Sequence, residues 1–199
     1  MERIEYAGMM EALTLRPANI ADLATLQQWD EQPHVLDSDP NDDWNWETEL
    51  LRNPEWRMQL MAEWAGRPVG FMQIIDPALE ETHYWGDVPP GLRAIDIWIG
   101  APEDLGKGYG TKMMQQAVEL CFLNPEVTAI LVDPLASNRR AHVFYERLGF
   151  WFQEERVLGE YNDHCFVYRL ERGDWSGGEL LSHAVYFSQK TRFVCRRFL

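Results

Sequence analysis

Three glycines at alternate positions, in Leu105-Gly106-Lys107-Gly108-Tyr109-Gly110-Thr111-Lys112, constrain this chain more than any other stretch. They lie between an apolar strand-like run, 94–100, and a helix-like run, 111–124, whose Met113, Met114, Ala117, Val118 and Cys121 repeat at helical spacing. A helix start stripped of side chains offers free backbone N–H groups at the positive end of the helix dipole. Such a site suits an anion, most often a phosphate. The plainer alternative is a flexible loop followed by an ordinary helix start. Two phosphate motifs fail here. A P-loop needs Gly-Lys-Ser/Thr after a glycine four residues earlier, but Lys107 is followed by Gly108. A dinucleotide fingerprint needs G-x-G-x-x-G, and the spacing here is G-x-G-x-G.

Composition narrows the ligand further. A chain of 199 residues with 46% hydrophobic content and nine Trp can bury one good core. No run approaches the ~18 apolar residues of a membrane span. The first ten residues carry two glutamates and no apolar block, which does not read as a secretory signal. Cys121, Cys165 and Cys195 are odd in number and widely spaced, as expected of reduced thiols in a cytoplasmic protein with no metal site. Net charge is -14, with 18 acids against 5 bases in residues 1–90 and 14 against 13 in residues 91–199. That acidity argues against a nucleic-acid partner. It serves solubility, or it concentrates a cationic substrate.

Along the chain, 12–16 alternates like a strand and Asn19 caps a helix with Ile20, Leu23, Leu26 and Trp29 on one side. Residues 33–46 read as irregular, acidic and aromatic, followed by a short helix over 46–52. Residues 56–64 and 68–75 read as a hairpin turning at Ala65-Gly66-Arg67. An insertion over 76–90 mixes Glu80, Glu81, Tyr84, Trp85 and Asp87. Strand 94–100, helix 111–124, strand 127–132, a helix from Asn138 through Tyr145, and an antiparallel pair over 150–158 and 164–170 complete the order. The expected fold is a single α/β domain over residues 1–172, with a mixed, mostly antiparallel sheet flanked by helices. Residues 173–199 form a more basic extension: an added strand, a dimer arm or a flexible tail.

Two motifs carry a family resemblance. Leu105-Gly106-Lys107-Gly108-Tyr109-Gly110 resembles the pyrophosphate loop Q/R-x-x-G-x-G/A of the GNAT superfamily of N-acetyltransferases, with Leu105 at the usual Gln or Arg. Asn138 through Phe150 is similar to the superfamily's second signature, N-x-x-A-x-x-x-Y-x-x-x-G-F, with Ala141 and Tyr145 in place. The resemblance implies acetyl-CoA as co-substrate. It implies contacts from Ile97, Trp98 and Ile99 on the strand, from residues 105–111 of the loop, and from Asn138, Ala141 and Tyr145. Narrowed further, Asp96, the glycine loop, Asn124-Pro125-Glu126-Val127-Thr128 and Asp133-Pro134 look like aminoglycoside 6'-N-acetyltransferases. A neighbouring group that acetylates siderophore amines usually carries His at the position of Asp96.

Acetyl transfer to an amine requires a neutral nucleophile, a held carbonyl and a departing thiolate that gains a proton. Asp96, a charge in an otherwise apolar strand, is the candidate base, acting directly or through water; its bland alternative is a salt bridge to Arg93 or Arg139. Tyr145 is the candidate acid, placed by the family pattern, with packing in an aromatic core as its alternative. Asp133, Trp85, Asp87 and Trp46 are candidate contacts for a small cationic amine; Asp133 reads equally as a turn, and the Trp residues as core. Asn138 contacts the pantetheine arm or caps its helix. The expected function is acetyl-CoA-dependent N-acetylation of a polycationic amine, with aminoglycosides first and siderophore amines or polyamines next. A non-catalytic CoA-binding module is the alternative of another class. The protein is expected to work as a monomer or homodimer.

Overall fold

The computed structural model describes residues 12–176, apart from 39, 42 and 160. The N-terminal eleven residues, Cys195 and the extension from 177 onward lie outside the described residues. Seven strands form one sheet: β1 (Leu13–Pro17), β2 (Arg57–Trp64), β3 (Arg67–Ile75), β4 (Leu92–Ile99), β5 (Ala129–Val132), β6 (Trp151–Leu158) and β7 (Asp163–Glu171). Their spatial order is β1-β2-β3-β4-β5-β7-β6, and every neighbouring pair is antiparallel except β4 with β5. The helices are α1 (Leu23–Asp30), α2 (Pro33–Leu36), α3 (Trp46–Glu49), α4 (Tyr109–Phe122) and α5 (Arg139–Arg147). The expected α/β architecture with a mixed, mostly antiparallel sheet is the one observed.

The N-terminal helical region differs in detail from the sequence reading. Asn19 caps as expected, accepting from Ala21 N, but it opens a 3-10 turn over Ile20–Asp22 before α1 begins. Ile20 is left half-exposed. The segment read as irregular contains α2, which starts on Pro33, a residue preorganised for the first helical position. The helix expected over 46–52 lasts only four residues.

Side-chain alternation divides the sheet into two faces. On one, Ile95, Ile97 and Ile99 of β4 and Ile130 and Val132 of β5 pack under α4 and α5 with Met113, Met114, Ala117, Val118 and Tyr145. Each fully buried aliphatic side chain of this kind contributes roughly 1.5–3 kcal/mol. The stripe read from the sequence of α4 is the stripe that is buried. Burial pushes its Cys121 thiol up to about 12. Arg172 closes the far end of α4, donating to the carbonyls of Phe122 and Asn124, where a cation also complements the helix dipole. On the other face, Ala94 joins Leu92, Trp85 and Leu131 in one cluster, and Trp98 joins Trp44, Trp46 and Phe71 in another.

The parallel ladder between β4 and β5 is short. It pairs Leu92 with Ala129, Arg93 with Ile130 and Ala94 with Leu131, and goes no further. Beyond Ala94, β4 continues five residues to Ile99, while β5 ends at Val132. The two strands therefore part beyond Ala94 and Leu131.

Candidate active site

The glycine stretch sits at the N-terminus of α4, as its sequence implied. Gly106 (φ 75°) and Gly108 (φ 83°) adopt left-handed backbone conformations that side-chain-bearing residues avoid. A Cβ built on either would meet nothing within 4 Å, so the loop is open on that side. No side chain caps the helix at Gly108. The free N–H groups at the start of a 14-residue helix thus face open space, which fits the pyrophosphate of coenzyme A. Gly110 plays another part: its Cβ position lies 3.6 Å from the Phe144 ring, an ordinary packing distance between α4 and α5.

Two loop side chains have partners within the protein. Lys107 Nζ is paired with Asp104 Oδ1 at 3.0 Å, and Arg67 pairs with the same carboxylate at 2.6 Å. Asp104 is only 1% exposed, and the Arg67 hydrogen bond leads in holding its carboxyl below the usual range. The side chain of Tyr109 is buried against Trp64, with ring centroids 5.4 Å apart. Asn138 caps α5, its side chain accepting from Ala141 N at 3.1 Å.

On β4, Asp96 shares a face with Ala94 and Trp98, between the two clusters of that face. Its cross-strand partner in β3 is Gln73, whose Nε2 donates to Asp96 Oδ2 at 2.6 Å. Arg93, one of the two salt-bridge partners considered for Asp96, pairs with Asp76 at 2.8 Å. Asp133 follows Leu131 by two residues and so continues on the face of Asp96, at the opening where β4 and β5 part. Burial pushes the Asp133 carboxyl up to about 6, and a hydrogen bond from Tyr84 Oη (2.7 Å) opposes that rise.

Tyr145 rises from α5 on the other side of the opening. Burial, then the charges of Asp96 and Asp133, hold its phenol far above the usual tyrosine range, so it keeps its proton at neutral pH. Asp96 and Asp133 are thus both near enough to act on Tyr145, which packs with the core under α4 and α5 while Asp96 lies on the opposite face of β4. Such an arrangement can hold an ammonium beside a base on one side and a proton donor on the other.

The aromatic candidates need correction. Trp46 is 2% exposed, stacked on Trp44 (5.1 Å between centroids) with its Nε1 donating to Asp30. Trp85 is 4% exposed and fills the cluster beside β5. Both are core. Asp87 is exposed on the 76–90 insertion. Gln73 and Tyr84 were not singled out from the sequence. Gln73 is revealed only by cross-strand register, and Tyr84 only by the folding of the insertion across β5. Among the described residues, no cluster of three His, Cys, Asp or Glu side chains could hold a metal ion. Nor is any helix among them long and apolar enough to cross a membrane.

An anion cradle at a helix start, a parted pair of parallel strands and two acids at the parting define the class. The profile of the acetyltransferase (GNAT) domain matches residues 19–158, and the chain belongs to that family. Within it, the chain is similar to aminoglycoside N(6')-acetyltransferase type 1 of Klebsiella pneumoniae, 32% identical over 156 residues, covering 70% of this chain and 74% of that one. It is 47% identical over 73 residues to a kanamycin resistance protein of Rhizobium radiobacter, covering 36% of this chain and 68% of that one. The crystal structure of aminoglycoside acetyltransferase AAC(6')-Ib with coenzyme A and kanamycin superposes with a TM-score of 0.73 at 29% identity, covering 82% of this chain and 96% of that one. A Vibrio cholerae spermidine N-acetyltransferase shares the fold at 18% identity and a TM-score of 0.64.

Proposed function

We propose that the acceptor of this acetyl-CoA-dependent N-acetyltransferase is an aminoglycoside, acetylated at its 6'-amine. The observation that carries this reading is the pair Asp96 and Asp133, on one sheet face at the opening between β4 and β5, with the glycine loop and Tyr145 on the other side. Two carboxylates at one opening suit a substrate with several ammonium groups. The relatives that act on aminoglycosides point the same way, and the spermidine enzymes, at 18% identity, share only the fold.

Acetyl-CoA supplies the acetyl group as a thioester. The backbone at Gly106, Gly108 and the start of α4 anchors its pyrophosphate, so that distant binding energy fixes geometry at the reacting carbon. Asp96, oriented by Gln73, takes the proton that the ammonium must lose before it attacks, directly or through water. Asp133 holds the substrate's charge at the opening. Tyr145 keeps its proton available to the sulfur.

Thiol release from acetyl-CoA with kanamycin, lysine derivatives and spermidine tests the reading, with the acetylated position located by NMR. Turnover confined to spermidine or lysine derivatives would overturn it, and so would kanamycin acetylated away from the 6' position. Asp96→Asn should lower turnover by about 10²–10⁴-fold while acetyl-CoA affinity stays near wild type. Undiminished turnover would remove Asp96 from the chemistry.

A further inference from the structure

Tyr84 does more than fill space over Asp133. The turn that carries it is built on Glu80, 7% exposed, whose carboxylate accepts from Thr82 N (2.6 Å), Thr82 Oγ1 (3.0 Å) and Tyr84 N (3.0 Å). His83, between them, takes a left-handed φ of 55°, uncommon for a residue with a side chain. Trp85 anchors the turn from below, and its carbonyl accepts from Arg156 Nη1 on β6. Against the β6–β7 turn the fit is close, since a Cβ at Gly159 would lie 3.1 Å from the Tyr84 ring. Three elements thus fix the ring, and its hydroxyl reaches Asp133 Oδ2 at 2.7 Å. A phenylalanine would pack as well. Only the hydroxyl makes the bond.

We propose that Tyr84 is a positioning residue for the acceptor amine: its hydroxyl, held by the Glu80 turn, fixes the Asp133 carboxylate at the opening so that it meets the incoming ammonium in one orientation. This rests on the reading of Asp133 as an acceptor contact given above. Tyr84 on the insertion bonds Asp133, the charge of Asp133 acts on Tyr145 of α5, and Asp96 of β4 acts on both tyrosines. From β6–β7, Cys165 acts on Tyr84, Arg156 pairs with Glu154, and His164 with Glu155. Tyr84 donates to the carboxylate from its side chain, beside Asp133's own backbone N–H. Its bond favours the ionised form, against burial, which favours the neutral one.

Tyr84→Phe in the full chain removes the hydroxyl and keeps the ring. Carbon-detected NMR of the unliganded protein should find the Asp133 carboxyl titrating higher than in wild type. The KM for kanamycin should rise roughly tenfold, with kcat changed far less and the KM for acetyl-CoA unchanged. The acid limb of kcat/KM for kanamycin should move upward in pH. Glu80→Gln, which loosens the turn and leaves Tyr84 in place, should shift the same quantities less. An unmoved Asp133 titration overturns the proposal, and so does an unmoved KM in an active enzyme. If wild type acetylates no aminoglycoside, the functional reading fails by itself. The Asp133 titration and calorimetric kanamycin binding then decide the role of Tyr84 without turnover.

Discussion

Asp133, proposed above as an acceptor contact, sits in its ionised form at a cost to its own fold. Its carboxyl is pushed up to about 6, above the ordinary aspartate value near 4, with burial the leading cause. The folded protein therefore binds a proton more tightly than the unfolded chain between those values. The group's contribution to stability is greatest below pH ~4, falls as pH rises to ~6, and is constant above. At neutral pH the ionised group is therefore a net cost to the fold. Asp133→Asn removes that cost and keeps an oxygen for Tyr84 to bond. Its melting temperature at pH 7 should equal or exceed wild type, while the KM for an aminoglycoside rises at least tenfold; a clear loss in melting temperature would make Asp133 structural. Legibility at this scale was uneven. Asp96 stood out because a charge in an apolar strand demands a partner. Asp133 came with a family pattern. Gln73 stood out in neither way, because it meets Asp96 only through the β3–β4 register, 23 residues away in sequence.

At the scale of elements, the glycine loop separates two roles that one motif spells alike. Gly108 needs its left-handed backbone, and a side chain there costs about 1–2 kcal/mol. Gly110 lies within the first turn of α4 with room for a methyl against Phe144. Gly108→Ala should therefore raise the KM for acetyl-CoA several-fold and lower the melting temperature. Gly110→Ala should leave both near wild type. Steady-state kinetics with acetyl-CoA varied, beside thermal melts, check the pair; equal effects at both positions would mean that the anion is misplaced. Long periodic elements such as α4 were plain in the sequence, because a stripe of Met113, Met114, Ala117 and Val118 allows few alternatives. The four-residue α2 and α3 were not, since a single turn holds no periodicity and owes its existence to packing of Val35 and Trp46. The parting of β4 from β5 was equally hidden, for nothing in either strand's sequence says where a parallel ladder stops.

For the whole molecule, charge is the remaining lever, and its uneven placement gives a test that composition alone could not. The net charge of -14 is concentrated in residues 1–90, which contribute α1, α3, β2, β3 and the insertion that reaches over Asp133. The half that holds the glycine loop is nearly neutral, and Arg139 and Arg140 are exposed at the start of α5. A polycationic acceptor approaching this surface is drawn over a distance set by the Debye length, about 30 Å at 0.01 M salt and about 10 Å at 0.1 M. The kcat/KM for kanamycin should therefore fall by about tenfold or more as salt rises from 0.01 to 0.3 M. Acetyl-CoA, an anion proposed to sit on backbone groups of the nearly neutral half, should respond weakly or in the opposite sense. Parallel salt titrations of the two kcat/KM values distinguish steering from general screening. Two equal slopes would reduce the acidity to a matter of solubility. A steep slope for the acceptor alone would mean that residues remote from the opening, through their summed field, help select what Asp96 and Asp133 receive.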